Sequence, residues 1–232
     1  MMKGIELLDY SMTMRGSCNI IYRNTRANLP DLLSDSPDPG RETSITGRAS
    51  IRLLEPDLVI RKLTHGGLLR HLTKDRFLSI SRSLKELKAS HHLICHGVNT
   101  PEVLGIRFLK KGLFFSIEVI TRLIPDSVDL LTYLERPSDD TYALIRKTGT
   151  LIRDLHRLGV YHTDLHAKNI LLDSRMTPWI IDLDNAFLFH KIPGILKTRN
   201  IRRFIHSLDK WSSKGRIVLP SQYKRAFMEG YT

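Results

Sequence analysis

The sequence predicts an α+β fold in two successive parts, a β-rich stretch with one helix over residues 1–120 and a short, mostly helical stretch over 121–232. Three observations lead there. Strand-length apolar runs bounded by turn residues fill much of the chain before residue 120, and amphipathic helical periodicity dominates after it. Between them in function, though late in the chain, Tyr161 to Asn185 reads as a loop running into a β-hairpin whose ends carry two carboxylates and a carboxamide.

Taken in order, residues 1 to about 40 hold one strand candidate, Asn19-Ile-Ile-Tyr22, and a two-proline loop, Asp35-Ser-Pro-Asp-Pro-Gly40. Ser50-Ile-Arg-Leu-Leu54 and Asp57-Leu-Val-Ile-Arg-Lys-Leu63 are two strands joined at Glu55-Pro56, with Thr46-Gly-Arg-Ala49 before the first and His65-Gly66-Gly67 after the second. A helix follows, with Phe77, Ile80, Leu84, Leu87 and His91 at helical spacing. Ile106–Leu109 and Leu113–Ile120 form a hairpin turned at Lys110-Lys111-Gly112, and Thr121–Pro125 leaves it as a hinge. Asp126 to Leu134 and Tyr142 to Leu158 read as helices, the second stopped by Gly159. Near the end Ile201, Phe204, Ile205, Leu208 and Trp211 repeat at helical spacing, with Arg202, Arg203, His206 and Lys210 between them.

Composition narrows the class of protein. At 232 residues and 41% hydrophobic content the chain can bury a core. Cys18 and Cys95 supply neither a disulfide framework nor zinc spacing, and the ten histidines do not group with them, so a reducing compartment fits. Glu6 and Asp9 interrupt the first ten residues where a signal peptide needs an apolar run, and no segment reaches membrane-spanning length, which predicts a soluble or peripheral protein. The net charge of +12 is uneven, since residues 191–232 carry ten Lys or Arg against Asp209 and Glu229. An anionic partner follows, and nucleic acid, an anionic membrane and a phosphorylated substrate all meet that description.

The chemistry lies in YHTDLHAKNILLDSRMTPWIIDLDN. An isolated Asp at a strand end is ordinary. Here Asp164, Asn169 five residues later, an apolar hairpin and Asp182 at its far end agree on one task. Phosphoryl transfer needs a carboxylate to orient the attacking hydroxyl and accept its proton, and an Asn with a second carboxylate to hold Mg²⁺ on the phosphates. The spacing resembles the catalytic loop and following metal-binding Asp of the protein-kinase-like fold. That resemblance implies a two-lobed fold with a minimal C-terminal lobe, Asp164 as base, and Asn169 and Asp182 on the metal. It aligns Leu58-Val-Ile-Arg61 with the strand that carries the phosphate-binding cation, so Arg61 is the choice, with adjacent Lys62 on the opposite strand face as the alternative and two solvent-facing strand charges as the plain reading. Glu86 on the next helix is the candidate partner of that cation, a plain surface Glu being the alternative. The Gly47-Arg48 turn is the candidate nucleotide-binding hairpin.

Within that fold, Thr46-Gly-Arg-Ala, Leu58-Val-Ile-Arg-Lys, Gly66-Gly67-Leu68, His162-Thr-Asp-Leu-His-Ala-Lys-Asn, Ile181-Asp-Leu-Asp184 and Arg199-Asn-Ile-Arg-Arg-Phe204 together resemble the lipopolysaccharide-core kinases, the 3-deoxy-D-manno-octulosonic acid (Kdo) kinases among them. The resemblance implies ATP-dependent phosphorylation of a Kdo hydroxyl on a lipid A precursor, at the cytoplasmic face of a bacterial inner membrane. It implies Asp164 and Lys168 as catalytic residues, and ATP and Mg²⁺ as cofactors. Ala49 departs from the family, which has a second Gly in that turn. Thr163 replaces the Arg that in protein kinases reads a phosphorylated loop, and the 50 residues after Asp182 are too few for a peptide platform, so a small or lipid-linked acceptor is favoured. The basic tail, with Arg199, Arg202, Arg203 and Lys210, is expected to meet anionic lipid. Two rivals remain: another small-molecule or atypical Ser/Thr kinase of the same fold, and a non-catalytic nucleotide- or nucleic-acid-binding module. No aromatic-rich RNA platform or DNA-reading motif supports the last, and no nucleic-acid partner is expected.

Overall fold

The computed structural model describes residues 9–34, 41–42, 51–54, 57–64 and 76–232. Gly47, Arg48, the Glu55-Pro56 turn and the Gly66-Gly67 pair lie outside the described residues. The chain divides into two compact units, Met1–Leu84 with Glu102–Leu123, and Lys85–Pro101 with Ile124–Thr232.

The first unit is built on one seven-stranded antiparallel sheet in the order β1-β2-β6-β7-β5-β4-β3. Its strands are β1 (Tyr10–Arg15), β2 (Cys18–Arg23), β3 (Arg41–Glu42), β4 (Ile51–Leu54), β5 (Leu58–Lys62), β6 (Val103–Lys111) and β7 (Phe114–Arg122). The strand candidate around Asn19–Tyr22 is β2, and the two predicted hairpins are β4–β5 and β6–β7. Alternation gives the sheet two faces. On one, Leu29 and Leu33 of the short helix α1 (Leu29–Ser34) bury Ile20, Leu58, Ile60, Leu104 and Ile120. Glu118 stands on that face and receives Arg52 at 2.5 Å and Arg107 at 2.6 Å. Arg107 also donates to the Leu33 carbonyl at 2.9 Å, which satisfies an acceptor at the end of α1 that the helix itself leaves open. A carboxylate this enclosed requires its cations, so the pairings fix the sheet–helix register as well as the charge.

Helix α2 (Ser81–Cys95) starts later than the periodicity predicts. Phe77, expected on its apolar stripe, instead forms a β-bridge with Phe115, its N–H donating to the Phe115 carbonyl at 2.9 Å. The Ser79 hydroxyl then accepts the Ser81 N–H at 3.1 Å, a local alternative to helical bonding that marks the start.

The second unit packs helices around two small sheets, one of β11 (Pro178–Ile180), β10 (Ile170–Leu172) and β8 (Val128–Asp129), the other of β12 (Phe187–Leu188) and β9 (Val160–Tyr161). Of the predicted helix from Asp126, only α3 (Leu130–Leu134) forms; Val128–Asp129 is a strand, β8. Asp129 is the reason. Its carboxylate accepts from the Thr132 N–H at 3.1 Å and the Thr132 hydroxyl at 2.7 Å, an N-cap that places the helix start after it. Helix α4 (Thr141–Arg157) supplies Leu144, Ile145, Ile152 and Leu155 to the core. It packs against the terminal helix α6 (Ser221–Tyr231), which the sequence reading did not foresee. Gly149 and Gly230 permit the approach: a Cβ on Gly149 would lie 2.1 Å from the Phe227 carbonyl oxygen, and one on Gly230 1.9 Å from that of Arg146. Gly159, at φ +78°, ends α4 and turns the chain into β9 (Val160–Tyr161), which pairs with β12 (Phe187–Leu188). The predicted basic helix near the end is α5 (Gly194–Ser213), burying Asn200, Phe204 and Leu208.

Candidate active site

The site begins where β9 delivers Tyr161 into His162, wholly within the second unit. His162 is buried, and its imidazole ties the loop to the hairpin. Its Nδ1 accepts the Asp164 backbone N–H at 3.2 Å, so Nε2 carries the proton and donates to the Ile181 carbonyl at 2.9 Å. Burial pushes the His162 pKa below the ordinary imidazole value, against the opposing effects of the Ile181 hydrogen bond and the charges of Asp182 and Asp164. The neutral tautomer that the two bonds require is therefore the stable one.

Asn200 of α5 holds the same loop from behind. Its Nδ2 donates to the His162 carbonyl at 2.7 Å, and its Oδ1 accepts from the His162 N–H at 3.3 Å and His156 Nε2 at 3.1 Å. Asn200 is 0% exposed, so these bonds are formed without competition from water.

Past His162 the chain turns through a 3₁₀ segment, Ala167–Asn169, into the hairpin of β10 (Ile170–Leu172) and β11 (Pro178–Ile180). Asp173 folds its turn by accepting the N–H groups of Arg175 and Thr177, each at 2.9 Å, and the Trp179 indole N–H at 3.0 Å. Hydrogen bonds join Asn169 at one end of this hairpin to Asp164 before it and to Ile181 at the other end, next to Asp182. Asn169 Nδ2 donates to the Asp164 carbonyl at 2.9 Å, which turns its Oδ1 to other use. The Asn169 carbonyl in turn accepts the Ile181 N–H at 3.0 Å, bracing the residue before Asp182. Asp182 has φ +65°, ψ +53°, a left-handed conformation that costs a non-glycine residue roughly 1–2 kcal/mol. Bonds to both sides of Ile181 pin the backbone there, and the result is an exposed Asp182 carboxylate.

Asp164 itself is half exposed and bears two contacts. Arg203 Nη2 donates to its Oδ1 at 2.7 Å, and His166 Nε2 lies 3.4 Å from its Oδ2. The His166 hydrogen bond and charge, and then Arg203, hold the carboxyl well below the usual carboxylate range despite partial burial, which acts the other way. Asp164 is an anion at every physiological pH. Lys168 projects to solvent, its Nζ 5.3 Å from the centre of the Trp211 ring. Lys210, Lys214 and Arg216 also approach that ring, at 6.0, 5.3 and 5.0 Å, with Arg216 paired to Glu135 at 2.5 Å.

Of the nucleotide-side candidates, Arg61 and Lys62 sit in the first unit on opposite faces of β5. Arg61 stands opposite Val119 and Ile51, whereas Lys62 stands opposite Glu118, on the face of the buried ionic cluster. The register thus separates the two cations, and Arg61 is the one away from the Glu118 cluster. Glu86 lies on α2 at 5% exposure, which rules out the plain surface Glu. Three residues of the site carried no individual role in the sequence reading: Asn200, Arg203 and His166. Asn200 had a legible signal, since it falls in line with Phe204 and Leu208 on the apolar stripe, where a carboxamide needs a specific partner. Arg203 had none, as it looked like its basic neighbours.

The family model described as "Lipopolysaccharide kinase (Kdo/WaaP) family" matches residues 38–231. This chain belongs to the lipopolysaccharide kinase (Kdo/WaaP) family. The match takes in the whole loop from His162 to Asn169, the hairpin, Asp182 and α5. Among curated relatives, a 3-deoxy-D-manno-octulosonic acid kinase of Vibrio vulnificus is 30% identical over 228 residues, covering 93% of this chain and 95% of the relative. One of Vibrio cholerae is 32% identical over 198 residues, 78% of this chain and 82% of the relative. One of Xylella fastidiosa is 29% identical over 172 residues, 71% and 68%. Membership of the Kdo/WaaP family makes the chain a kinase and removes the non-catalytic binding module from consideration.

Proposed function

We propose that this protein is an ATP-dependent kinase that phosphorylates a hydroxyl of a Kdo sugar on a lipid A precursor, in lipopolysaccharide core biosynthesis. The observation that carries the reading is the Asp164 carboxylate: ionised, half exposed, and fixed through its own backbone by His162 and Asn169. Phosphoryl transfer through a loose transition state asks mainly for a positioned nucleophile, so a carboxylate of low basicity can serve. Asp164 orients the acceptor hydroxyl and takes its proton as the hydroxyl oxygen bonds to the γ-phosphorus of ATP. The bond from that phosphorus to the β–γ bridging oxygen breaks, with ADP as the leaving group. Asn169 and Asp182 offer oxygen donors only, a carboxamide and a carboxylate, the chemistry that suits Mg²⁺ shared with nucleotide phosphates. Mg²⁺ bound there would neutralise charge on the transferred group. His162 and Asn200 keep these groups in register without touching substrate.

On the nucleotide side, Arg61 is the proposed phosphate-binding cation, and Gly47, Arg48 and Glu86 are the other residues proposed for nucleotide binding. The placement of Lys62 opposite Glu118 supports Arg61. Lys168, within the loop between Asp164 and Asn169, is the second proposed catalytic residue. The two units would correspond to the two lobes of a protein-kinase-like fold, the C-terminal one minimal and taking in Lys85–Pro101 as well as the chain from Ile124. No helix among the described residues is long and apolar enough to cross a membrane. A peripheral attachment to anionic lipid at the cytoplasmic face of the inner membrane is supported by the cations gathered at Trp211.

The direct test is mass spectrometry of a Kdo-bearing lipid A precursor after incubation with the protein and MgATP. A gain of one phosphate on the Kdo sugar is the expected result. Phosphate on the lipid A moiety, or transfer only to unrelated soluble acceptors, would reject the reading.

A further inference from the structure

Arg203 reaches Asp164 from α5, three residues beyond the Asn200 that anchors the catalytic loop, so one helix face sets both the loop and the charge beside its carboxylate. The bond to Asp164 uses one of the five N–H donors of a guanidinium, and the Arg203 side chain remains 48% exposed. His166 lies on the other oxygen of the same carboxylate, its Nε2 3.4 Å from Asp164 Oδ2, so Arg203 is the permanent cation at Asp164. A hydroxyl about to react must come within hydrogen-bond reach of Asp164. Whatever that hydroxyl's ring carries nearby is then brought within reach of Arg203.

For a neutral sugar no cation is needed at this point, because the base alone orients the hydroxyl. For a sugar acid one is needed. The acceptor's carboxylate would approach a second carboxylate, and a cation between them removes the repulsion. Arginine matches the planar, two-oxygen geometry of a carboxylate, which a lysine ammonium does not. We propose that Arg203 is the acceptor-recognition residue of this enzyme, binding the carboxylate of the sugar acid while bridged to Asp164. The assignment rests on the Kdo kinase reading above and deepens it, since it explains how an anionic sugar is admitted to an anionic base.

The experiment is a cycle of two acceptors and three proteins. Transfer to the Kdo-bearing lipid A precursor and to its carboxylate methyl ester is measured with wild type, R203Q and R203K, and melting curves and ATP binding check that each variant is folded. Wild type should lose about 10- to 100-fold in kcat/KM on esterification, the loss expected for a charge-assisted hydrogen bond. R203Q should lose a similar factor on the acid yet be indifferent to esterification, and R203K should recover part of the activity on the acid alone. If Arg203 only steadies Asp164, R203Q falls equally on both acceptors and the ester penalty persists, which overturns the proposal. Should R203Q fail to fold, R203K decides: an ester penalty as large as that of wild type overturns the proposal, and a smaller one supports it. Absence of transfer by wild type to either acceptor would instead sink the Kdo kinase reading itself, and the Arg203 assignment with it.

Discussion

Arg203 Nη2 lies 2.7 Å from Asp164 Oδ1, joining residues 39 positions apart in the chain. The sequence groups Arg203 with a basic tail facing lipid; the fold puts it on the carboxylate proposed as the base. A charge count over the tail therefore mixes two tasks, and the predictions separate them.

Replacing Asp164 by Asn should lower turnover by about two orders of magnitude or more, the range for loss of a positioned base. Nucleotide affinity should stay near wild type. Arg203 keeps an oxygen acceptor in the variant, so folding is retained. Steady-state rates on the lipid acceptor beside ATP binding make the measurement, and unchanged turnover would remove Asp164 from the mechanism.

Asp182→Ala should weaken Mg²⁺ dependence and turnover more than Asn169→Ala, because a carboxylate brings a full charge to a cation and a carboxamide only a dipole. Mg²⁺ titration of both variants checks it. The opposite order would mean that the hydrogen bond from Asn169 to the Asp164 carbonyl matters more than either ligand role.

Asn200→Ala should destabilise the protein by about 2–4 kcal/mol, since it strands the buried His162 N–H and carbonyl and a His156 nitrogen, each costing roughly 1–3 kcal/mol with partial relaxation. Denaturant unfolding measures this. A loss below about 1 kcal/mol would show that water replaces the carboxamide.

Acid should destabilise the fold through His156 and His162. Burial lowers both pKa values in the folded state, so below about pH 6.5 the unfolded chain binds protons that the native protein does not. Stability is full above that pH and declines as pH falls through it. Asp164, with its lowered pKa, contributes nothing to this limb, because its stabilisation is lost only in stronger acid. Melting temperature from pH 7.5 to 5.5 should fall in wild type and fall less in His156→Gln; equal slopes would exclude His156.

Lys210→Gln with Lys214→Gln should weaken co-sedimentation with anionic vesicles roughly tenfold or more, at about 1 kcal/mol for each cation near the surface. Both ammonium groups face Trp211, and the side chains on the Asp164 carboxylate are Arg203 and His166 instead. Activity on soluble acceptor fragments should hold. Wild-type protein that stays in the supernatant at low salt would discard the membrane attachment and leave the kinase intact.

By itself the sequence determined the parts whose signal is local. Strand alternation marked β4 to β7, the apolar runs marked the β10–β11 hairpin on which the candidate site stands, and the motif set pointed to the family. These follow from periodicity and short-range geometry, which neighbouring residues settle among themselves. Local pattern failed at Phe77 and at Asp126–Asp129, where a long-range bridge and a capping carboxylate overrode helical spacing. What only the tertiary structure decided is the company that each charged or polar group keeps. Arg202 and Arg203 are adjacent in sequence and alike in chemistry, yet only Arg203 has a hydrogen bond to Asp164, because α5 turns about 100° per residue and docks by Asn200, Phe204 and Leu208. Burial and pairing of a side chain depend on the face its helix presents to the core, a property of packing that no stretch of sequence holds alone.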